Sequence, residues 1–320
     1  MGDRRPASRA GMIARAGRHA GAIPRASGAT AASELTIGAL VNELADTLGS
    51  PDAEEIRREA RDIVAAVADA PRLWPVMHAA EPADREVVAR ARTAAERRRR
   101  GMPFAYAVGQ AAFRHLTLEV DERVLIPRPE TEVLVDLVLS ATAGGAGLAI
   151  DVGTGSGAIA LALATEGRFE RVIGTDVSAD ALIVAAANAR RVAGPGTTPA
   201  EFRLGAYLAP VRGLTARAIV SNPPYISYAE ASSLPSSVRA WEPPVALLAG
   251  EGGVATTAAI VEQSAAILEV GGVLALEVDS RRAAECAALV ARDARYTGVM
   301  VRQDLTGRDR FVTATRSNRG

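Results

Sequence analysis

Hydrophobic positions divide the chain into two parts with different spacing. From residue 34 to about residue 100, apolar residues recur every three or four positions, as at Leu40 and Leu44, and this period predicts amphipathic helices. Residues 50–52, Ser-Pro-Asp, have the composition of a helix start. A small helical bundle is therefore expected, and residues 34–110 form the first predicted domain.

The second part begins near residue 147, where short apolar runs alternate with amphipathic stretches. This alternation is typical of a parallel sheet with helices on both faces. The predicted strands are 148–152, 171–175, 216–221 and 273–278, and the predicted helices are 158–164, 179–188, 256–268 and 281–291. Two last strands, 297–301 and 310–315, have no helix between them and are expected to pair as an antiparallel hairpin that turns at residues 307–309. The predicted fold is thus α/β, with a mostly parallel sheet.

Three further segments complete the predicted organisation. Residues 113–120 alternate between apolar and polar positions, so a β-hairpin and a linker helix are expected over 111–145, before a catalytic domain over 146–320. Residues 1–33 are rich in arginine, alanine, glycine and serine and nearly lack acids. A disordered tail, or a start codon assigned too early, is favoured there over a mitochondrial transit peptide.

The composition excludes several classes of protein. Acidic and basic residues balance at 37 each, so no global field draws the chain onto nucleic acid or an anionic membrane, and every basic residue of the 37 is arginine. No apolar run reaches the roughly 18–20 residues of a membrane span. The only cysteine, Cys286, excludes an intramolecular disulfide and a cysteine-cluster metal site, and a reducing cytoplasmic location fits best. His19, His78 and His115 are scattered, so neither a hydrolase triad nor a metal site is expected.

A glycine loop follows the strand 148–152. Gly153, Gly155 and Gly157 alternate with Thr154 and Ser156 between this strand and the next predicted helix. Without Cβ atoms the loop can turn sharply, and its N–H groups and the helix start can bind a polar group of a ligand. The spacing differs from the G-x-G-x-x-G of dinucleotide-binding folds and is typical of methyltransferases, so the predicted cofactor is S-adenosylmethionine.

Two carboxylates flank this loop. Asp176 lies 19 residues beyond Gly157, at the end of the next strand, where a carboxylate can accept both hydrogen bonds of a ribose diol. Asp151 lies on the strand just before the loop and is expected to orient either the loop or the methionine amine. Together these residues predict a crevice that binds a nucleoside.

The tetrapeptide Asn222-Pro223-Pro224-Tyr225 follows the strand 216–221. The prolines hold the backbone rigid, so the Asn222 side-chain oxygen and the Pro223 carbonyl can accept hydrogen bonds from one NH₂ group while Tyr225 stacks on its plane. An amide or aryl amine is a poor nucleophile because its lone pair is delocalised, and it needs such positioning. We therefore predict methylation of nitrogen, with Asn222, Pro223 and Tyr225 catalytic.

From about residue 35 to residue 316 the chain resembles the peptide chain release factor glutamine methyltransferases of the HemK or PrmC type. The tetrapeptide alone is shared with DNA adenine methyltransferases. The segments that carry the resemblance are 125–132 (Leu-Ile-Pro-Arg-Pro-Glu-Thr-Glu), 151–160, 221–226, 241–243 with 246–247, and 304–310 (Asp-Leu-Thr-Gly-Arg-Asp-Arg). The first and last of these segments are the most specific to the family.

The resemblance implies a Rossmann-like class I methyltransferase sheet behind a helical domain that helps bind a protein substrate. It implies methylation of the glutamine side chain in the Gly-Gly-Gln motif of class I release factors, which modulates translation termination, with no membrane or direct nucleic-acid partner. Carried over by position, the residues expected to hold S-adenosylmethionine are Asp151, Gly153, Thr154, Gly155, Ser156, Gly157, Asp176, Tyr207 and Asn222. The residues expected to hold the glutamine amide are Asn222, Pro223, Pro224 and Tyr225.

The chain departs from the family pattern beside the expected adenine site and near a later strand. Residues 205–208 read Gly-Ala-Tyr-Leu, so Ala206 replaces the usual acid and Tyr207 remains to stack on adenine; residues 277–280 replace a more usual Glu-Ile-Gly segment. Three alternatives stay open. They are a glutamine methyltransferase acting on a ribosomal protein, a nucleic-acid adenine amino methyltransferase, and a binding module that has lost cofactor affinity.

Overall fold

The computed structural model describes residues 35–49, 52–142, 146–249 and 254–319. The predicted tail over 1–33, and the Ser and Pro at positions 50 and 51 of the predicted helix start, lie outside the described residues. The domain boundaries given above remain predictions.

Five helices form the N-terminal part. They are α1 (Ile37–Leu48), α2 (Ala53–Val67), α3 (Trp74–Met77), α4 (Arg85–Arg99) and α5 (Phe104–Val108). Asp52 starts α2, because its carboxylate accepts hydrogen bonds from the N–H groups of Glu54 and Glu55. The apolar stripes of α1, α2 and α4 meet in one cluster in which Leu40 and Ile63 are fully buried. The predicted helical region is confirmed.

A hairpin and one helix connect this part to the large sheet. Strands β1 (Gln110–Phe113) and β2 (Leu116–Glu119) pair antiparallel, and α6 (Thr131–Ala141) follows. The hairpin begins earlier than the predicted 113–120, and its turn places Arg114 at φ 54°.

Seven strands form the large sheet in the order β5-β4-β3-β6-β7-β9-β8. All neighbours are parallel except β9, which runs antiparallel to β7 and β8. The strands are β3 (Leu148–Val152), β4 (Arg171–Asp176), β5 (Ala200–Leu204), β6 (Ala216–Ser221), β7 (Leu268–Glu277), β8 (Tyr296–Gln303) and β9 (Asp309–Arg316). The helices are α7 (Ala158–Glu166), α8 (Ala179–Val192), α9 (Ser236–Trp241), α10 (Pro244–Leu247), α11 (Ala255–Ser264) and α12 (Ala283–Arg292). The predicted α/β fold with a closing antiparallel hairpin is confirmed.

The sequence prediction also missed a strand and misplaced the boundary between a helix and a strand. Strand β5 was not predicted, because it is half-buried at the sheet edge and carries Glu201 and Arg203, so its apolar signal is weak. The helix predicted over 256–268 ends at Ser264, and β7 begins at Leu268. Periodicity does not separate the end of a buried helix from the start of a buried strand within one continuous apolar run.

Apolar clusters cover both faces of the sheet. One contains residues of α6 and α7, and the other residues of α11 and α12, including the buried Cys286. None of the helices among the described residues is long and apolar enough to cross a membrane.

The order of the strands brings two loops together. The chain runs from β3 outward to β5 on one side, and then returns to β6 and β7 on the other side of β3. Val152 at the end of β3 is paired with Ser221 at the end of β6, and the Ser221 hydroxyl donates a hydrogen bond to the Val152 carbonyl over 2.7 Å. Ligands of open α/β sheets bind where the strand order reverses in this way. The glycine loop and the tetrapeptide both follow these strand ends.

Candidate active site

A cleft of about 260 Å³ opens at this point of the sheet. The glycine loop forms one wall, the ends of β4 and β5 form the second, and the tetrapeptide forms the third. The lining residues that sequence reasoning singled out are Gly153, Gly155, Asp176, Tyr207, Asn222, Pro223 and Pro224. Further lining residues to which sequence reasoning gave no role are 123–125, before α6, and 245–246 and 248, in and directly after α10.

The glycine loop presents bare backbone to the cleft. Gly153 and Gly155 have φ of 73° and 54°, and a Cβ atom on either would meet no heavy atom within 4 Å. This open space lets a ligand approach the loop backbone. Gly157 differs, since its Cβ would lie 3.2 Å from the Cδ1 atom of Leu161; it caps α7 against the core and does not line the cleft.

Asp151 lies behind the loop and is fully buried. Its Oδ2 atom accepts hydrogen bonds from the Thr154 hydroxyl over 2.6 Å and from the Ala160 N–H over 3.1 Å, while its Oδ1 atom has no partner among the described residues. Burial raises the pKa of this carboxyl to about 7. These two contacts are to the glycine loop and to the start of α7, and both predicted roles of Asp151 remain predictions. Thr154 and Ser156 are also buried and line a smaller cavity beside the cleft.

Asp176 is held in place by the backbone. Its Oδ2 atom accepts from the Gly155 N–H, and its Oδ1 atom accepts from the Ser178 N–H, each over 2.9 Å. A carboxylate offers about four lone-pair positions, so two remain for a ligand in the cleft. The end of β4 thus holds a hydrogen-bond acceptor at the cleft.

Tyr207 lines the cleft from a strained backbone position. Its φ is 49°, and the Thr175 hydroxyl donates a hydrogen bond of 2.7 Å to its carbonyl oxygen. A non-glycine residue there costs about 1–3 kcal/mol, which the surrounding structure must offset. The adjacent Ala206 is exposed in the cleft, so no acid stands at that position.

The tetrapeptide separates the cleft from a second cavity of about 170 Å³. Asn222, Pro223 and Pro224 line both spaces, and Tyr225 lines the second cavity alone. Arg128 also lines this cavity and forms an ion pair with the buried Glu242. Leu125 and Ala246 line both spaces as well, so the two cavities are neighbours along the tetrapeptide.

Side chains distant in the sequence hold Asn222. Its Nδ2 atom donates to the Thr131 hydroxyl over 3.1 Å, and that hydroxyl donates to Glu277 Oε2 over 2.7 Å. Thr131 and Glu277 are buried, and burial raises the pKa of Glu277 to about 7. Sequence reasoning gave neither residue a role, although the family resemblance implies that the segment 125–132, which contains Thr131, lies against the active site.

Tyr225 is fixed through its backbone. Its carbonyl accepts from Arg282 Nη1 over 3.3 Å, and Arg282 Nη2 donates to Glu230 Oε2 over 2.7 Å. Burial raises the pKa of the Tyr225 phenol, which keeps it neutral.

The described histidines lie elsewhere. His78 contacts Glu81 in the helical part and His115 contacts Glu166. In the ranges that the structure describes, no three His, Cys, Asp or Glu side chains are placed to hold a metal ion.

Comparison with known proteins identifies the family. The model of the PrmC N-terminal domain matches residues 39–109, and that of the methyltransferase small domain matches residues 129–234. The chain is 36% identical over 231 residues to a release factor glutamine methyltransferase of Moorella thermoacetica, covering 70% of this chain and 78% of that protein. It is 39% identical over 223 residues to one of Gloeobacter violaceus, covering 68% and 76%. The chain belongs to the release factor glutamine methyltransferase family. It is therefore a methyltransferase.

The match to the methyltransferase small domain covers the glycine loop and the tetrapeptide. Among solved structures, the hMettl16 catalytic domain in complex with the MAT2A 3′UTR hairpin 6 aligns with a TM-score of 0.51 at 16% identity, covering 72% of this chain and 81% of that chain. This likeness concerns the fold alone. The predicted family and the Rossmann-like methyltransferase fold are confirmed.

Proposed function

We propose that this member of the release factor glutamine methyltransferase family transfers a methyl group from S-adenosylmethionine to the glutamine side-chain nitrogen in the Gly-Gly-Gln motif of class I release factors. The relatives from Moorella thermoacetica and Gloeobacter violaceus support the substrate class by name. One structural observation carries the proposal. The Asn222–Pro224 segment lines both the cleft and the second cavity, so a donor and an acceptor bound in the two spaces meet there.

The cleft fits S-adenosylmethionine. The open sides of Gly153 and Gly155 suit its methionine end, and Asp176 suits the two hydroxyl groups of its ribose. Tyr207 lines the far end, where an aromatic ring can stack on adenine. When bound, this molecule supplies an electrophilic methyl group on a positively charged sulfur.

The second cavity fits the glutamine side chain. We assign Asn222 Oδ1 and the Pro223 carbonyl as acceptors for the two N–H bonds of the amide, with the Tyr225 ring against its plane. Two fixed acceptors turn the nitrogen lone pair towards the cleft and out of conjugation with the carbonyl, and well-aligned groups can gain on the order of 7–11 kcal/mol from positioning. The nitrogen then forms a bond to the methyl carbon, the carbon–sulfur electron pair returns to sulfur, and one N–H proton leaves to solvent.

We assign the helical part, α1 to α5, to binding of the protein substrate. The match to the PrmC N-terminal domain supports this assignment. An apolar cluster that joins Tyr106 of α5 to Val124 and to Val184 of α8 ties this part to the segment bordering the cleft.

The test is methyl transfer from labelled S-adenosylmethionine to a class I release factor. The matched control is the same factor with the glutamine of its Gly-Gly-Gln motif replaced by alanine. We expect label on the intact factor alone. Equal label on both factors would place the target at another residue, and no label on either would contradict the proposed substrate.

A further inference from the structure

We propose that Thr131 and Glu277 are positioning residues that determine which end of the Asn222 carboxamide faces the substrate. This inference rests on the proposed function, in which Asn222 accepts a hydrogen bond from the glutamine amide. The three side chains form a continuous chain of hydrogen bonds from the buried Glu277 on β7, through the start of α6, to the wall between the two cavities.

The orientation of Asn222 matters because its carboxamide has two unlike ends. Oδ1 accepts hydrogen bonds and Nδ2 donates them, and the ends are nearly equal in size. Packing alone therefore does not distinguish them. If Nδ2 faced the substrate, it would meet the N–H bonds of the glutamine amide, donor against donor, and the fixed acceptor would be lost.

The Thr131 hydroxyl resolves this ambiguity because it carries only one proton. An ionised Glu277 can only accept, so the Thr131 proton is donated to Glu277 Oε2 over 2.7 Å. The Thr131 oxygen then has only lone pairs left for Asn222, and it accepts from Nδ2 over 3.1 Å. Oδ1 is thereby turned away from Thr131, towards the cavities that Asn222 lines.

Protonation of Glu277 reverses the direction of donation along this series of hydrogen bonds. A protonated carboxyl can donate to the Thr131 oxygen, which frees the Thr131 proton to be donated to Asn222 Oδ1, so that Nδ2 faces the substrate. Arg310 on β9, Arg128 and Glu130 before α6, and Tyr225 after β6 also face the Glu277 carboxyl. Because burial raises the pKa of Glu277 to about 7, we expect this reversal just below neutral pH.

The first test compares Thr131→Val with Thr131→Ser in the full chain. Valine keeps the shape but removes the hydroxyl, whereas serine keeps the hydroxyl. We expect Thr131→Val to lower kcat about 10- to 100-fold, by analogy with the loss of a group that orients a metal-binding side chain. The dissociation constant for S-adenosylmethionine, measured by calorimetry, should stay within about twofold of wild type. Thr131→Ser should recover most of the rate.

The matched control is Thr142→Val at the other end of the same helix. The Thr142 hydroxyl is buried and donates to the Val138 carbonyl, away from both cavities. This variant should keep the wild-type kcat. Equal losses in Thr131→Val and Thr131→Ser, or a wild-type kcat in Thr131→Val, would overturn the inference.

Glu277→Gln tests the other end of the chain. Wild-type kcat should fall below about pH 7, and in Glu277→Gln this acid limb should disappear because glutamine does not titrate. An unchanged acid limb in that variant would refute the reversal. A further readout needs no substrate: hydrogen exchange of the Asn222 side-chain amide, followed by NMR, should be faster in Thr131→Val than in Thr142→Val. The positioning chain can therefore be tested even if release factors prove not to be substrates.

Discussion

Asn222 lies beside both the methyl donor and the methyl acceptor in the proposed reaction. It lines both cavities and is held from behind by Thr131. We predict that Asn222→Ala lowers kcat by about 10²–10³-fold, or ~2.7–4 kcal/mol, by analogy with the loss of one fixed partner of a transition state. Steady-state methyl transfer to a release factor measures this change. A turnover equal to wild type would refute the role of Asn222 as an acceptor.

Asp176 offers a test of the cofactor site that is separate from catalysis. Its carboxylate is fixed by the N–H groups of Gly155 and Ser178 and lines the cleft. Asp176→Ala removes charge-assisted hydrogen bonds worth about 1.5–3 kcal/mol, so the dissociation constant for S-adenosylmethionine should rise about 10- to 100-fold in calorimetry. The exposed Asp180, on the first turn of α8, is a suitable control as Asp180→Ala. Similar affinities in both variants would contradict the assignment.

The residue-level predictions from sequence depended on local order along the chain. Asp176 and Asn222 each follow or end a recognisable strand, so their position at the sheet edge could be predicted. Thr131 and Glu277 could not be assigned in this way, because their contacts join positions 91 and 146 residues apart. The local sequence around a threonine at a helix start, or around an acid in a strand, does not indicate such a distant partner.

At the scale of elements, the glycines of the loop have two different roles. Gly153 and Gly155 face the cleft, whereas Gly157 faces the core. Gly157→Ala should therefore lower the free energy of unfolding by at least about 1–2 kcal/mol, because φ is 83° and the new Cβ would crowd Leu161. Chemical denaturation followed by circular dichroism measures this loss.

Gly194→Ala is the matched control for the stability prediction. Gly194 does not have a positive φ, and a Cβ atom there would meet nothing within 4 Å. We expect its unfolding midpoint to equal or slightly exceed that of wild type. If both alanine variants unfold like wild type, the packing role of Gly157 is wrong.

Elements with strong periodicity were predictable, and those with mixed environments were not. The fully buried β3 appears in the sequence as an apolar run that only Asp151 interrupts. The edge strand β5 alternates charges with apolar residues and gave no clear signal. The boundary between α11 and β7 was missed because residues 265–267, which join them, are all apolar and continue the run from the helix into the strand.

At the scale of the whole molecule, two buried carboxyls influence stability against pH. Burial raises the pKa of Asp151 and of Glu277 to about 7, above the unfolded values of about 3.9 and 4.3. The folded state then holds these protons more tightly, which adds to the free energy of unfolding. This added stability is complete below about pH 4 and is lost as pH rises to about 7. In the opposite direction, hydrogen bonds lower the pKa of Glu230 and Asp304 to about 2, and their contribution is lost below about pH 4.

We predict that the melting temperature falls between about pH 4 and pH 7, and that Asp151→Asn reduces this slope. Asparagine does not titrate, and its side-chain oxygen can still accept from Thr154 and Ala160. Differential scanning calorimetry at several pH values measures the slope. An identical slope in wild type and Asp151→Asn would show that Asp151 does not bind the proton.

The buried thiol of Cys286 has a practical consequence. It is the single cysteine of the chain, it is 3% exposed, and it packs in the same cluster as Val152 and Ile260, which line the cleft. A thiol reagent can therefore react only when this part of the core opens. A ligand that binds the closed state slows such a reaction by the factor 1 + [L]/Kd. The modification rate of one atom thus reports how often the core opens, and its slowing by S-adenosylmethionine gives the dissociation constant without any methyl acceptor.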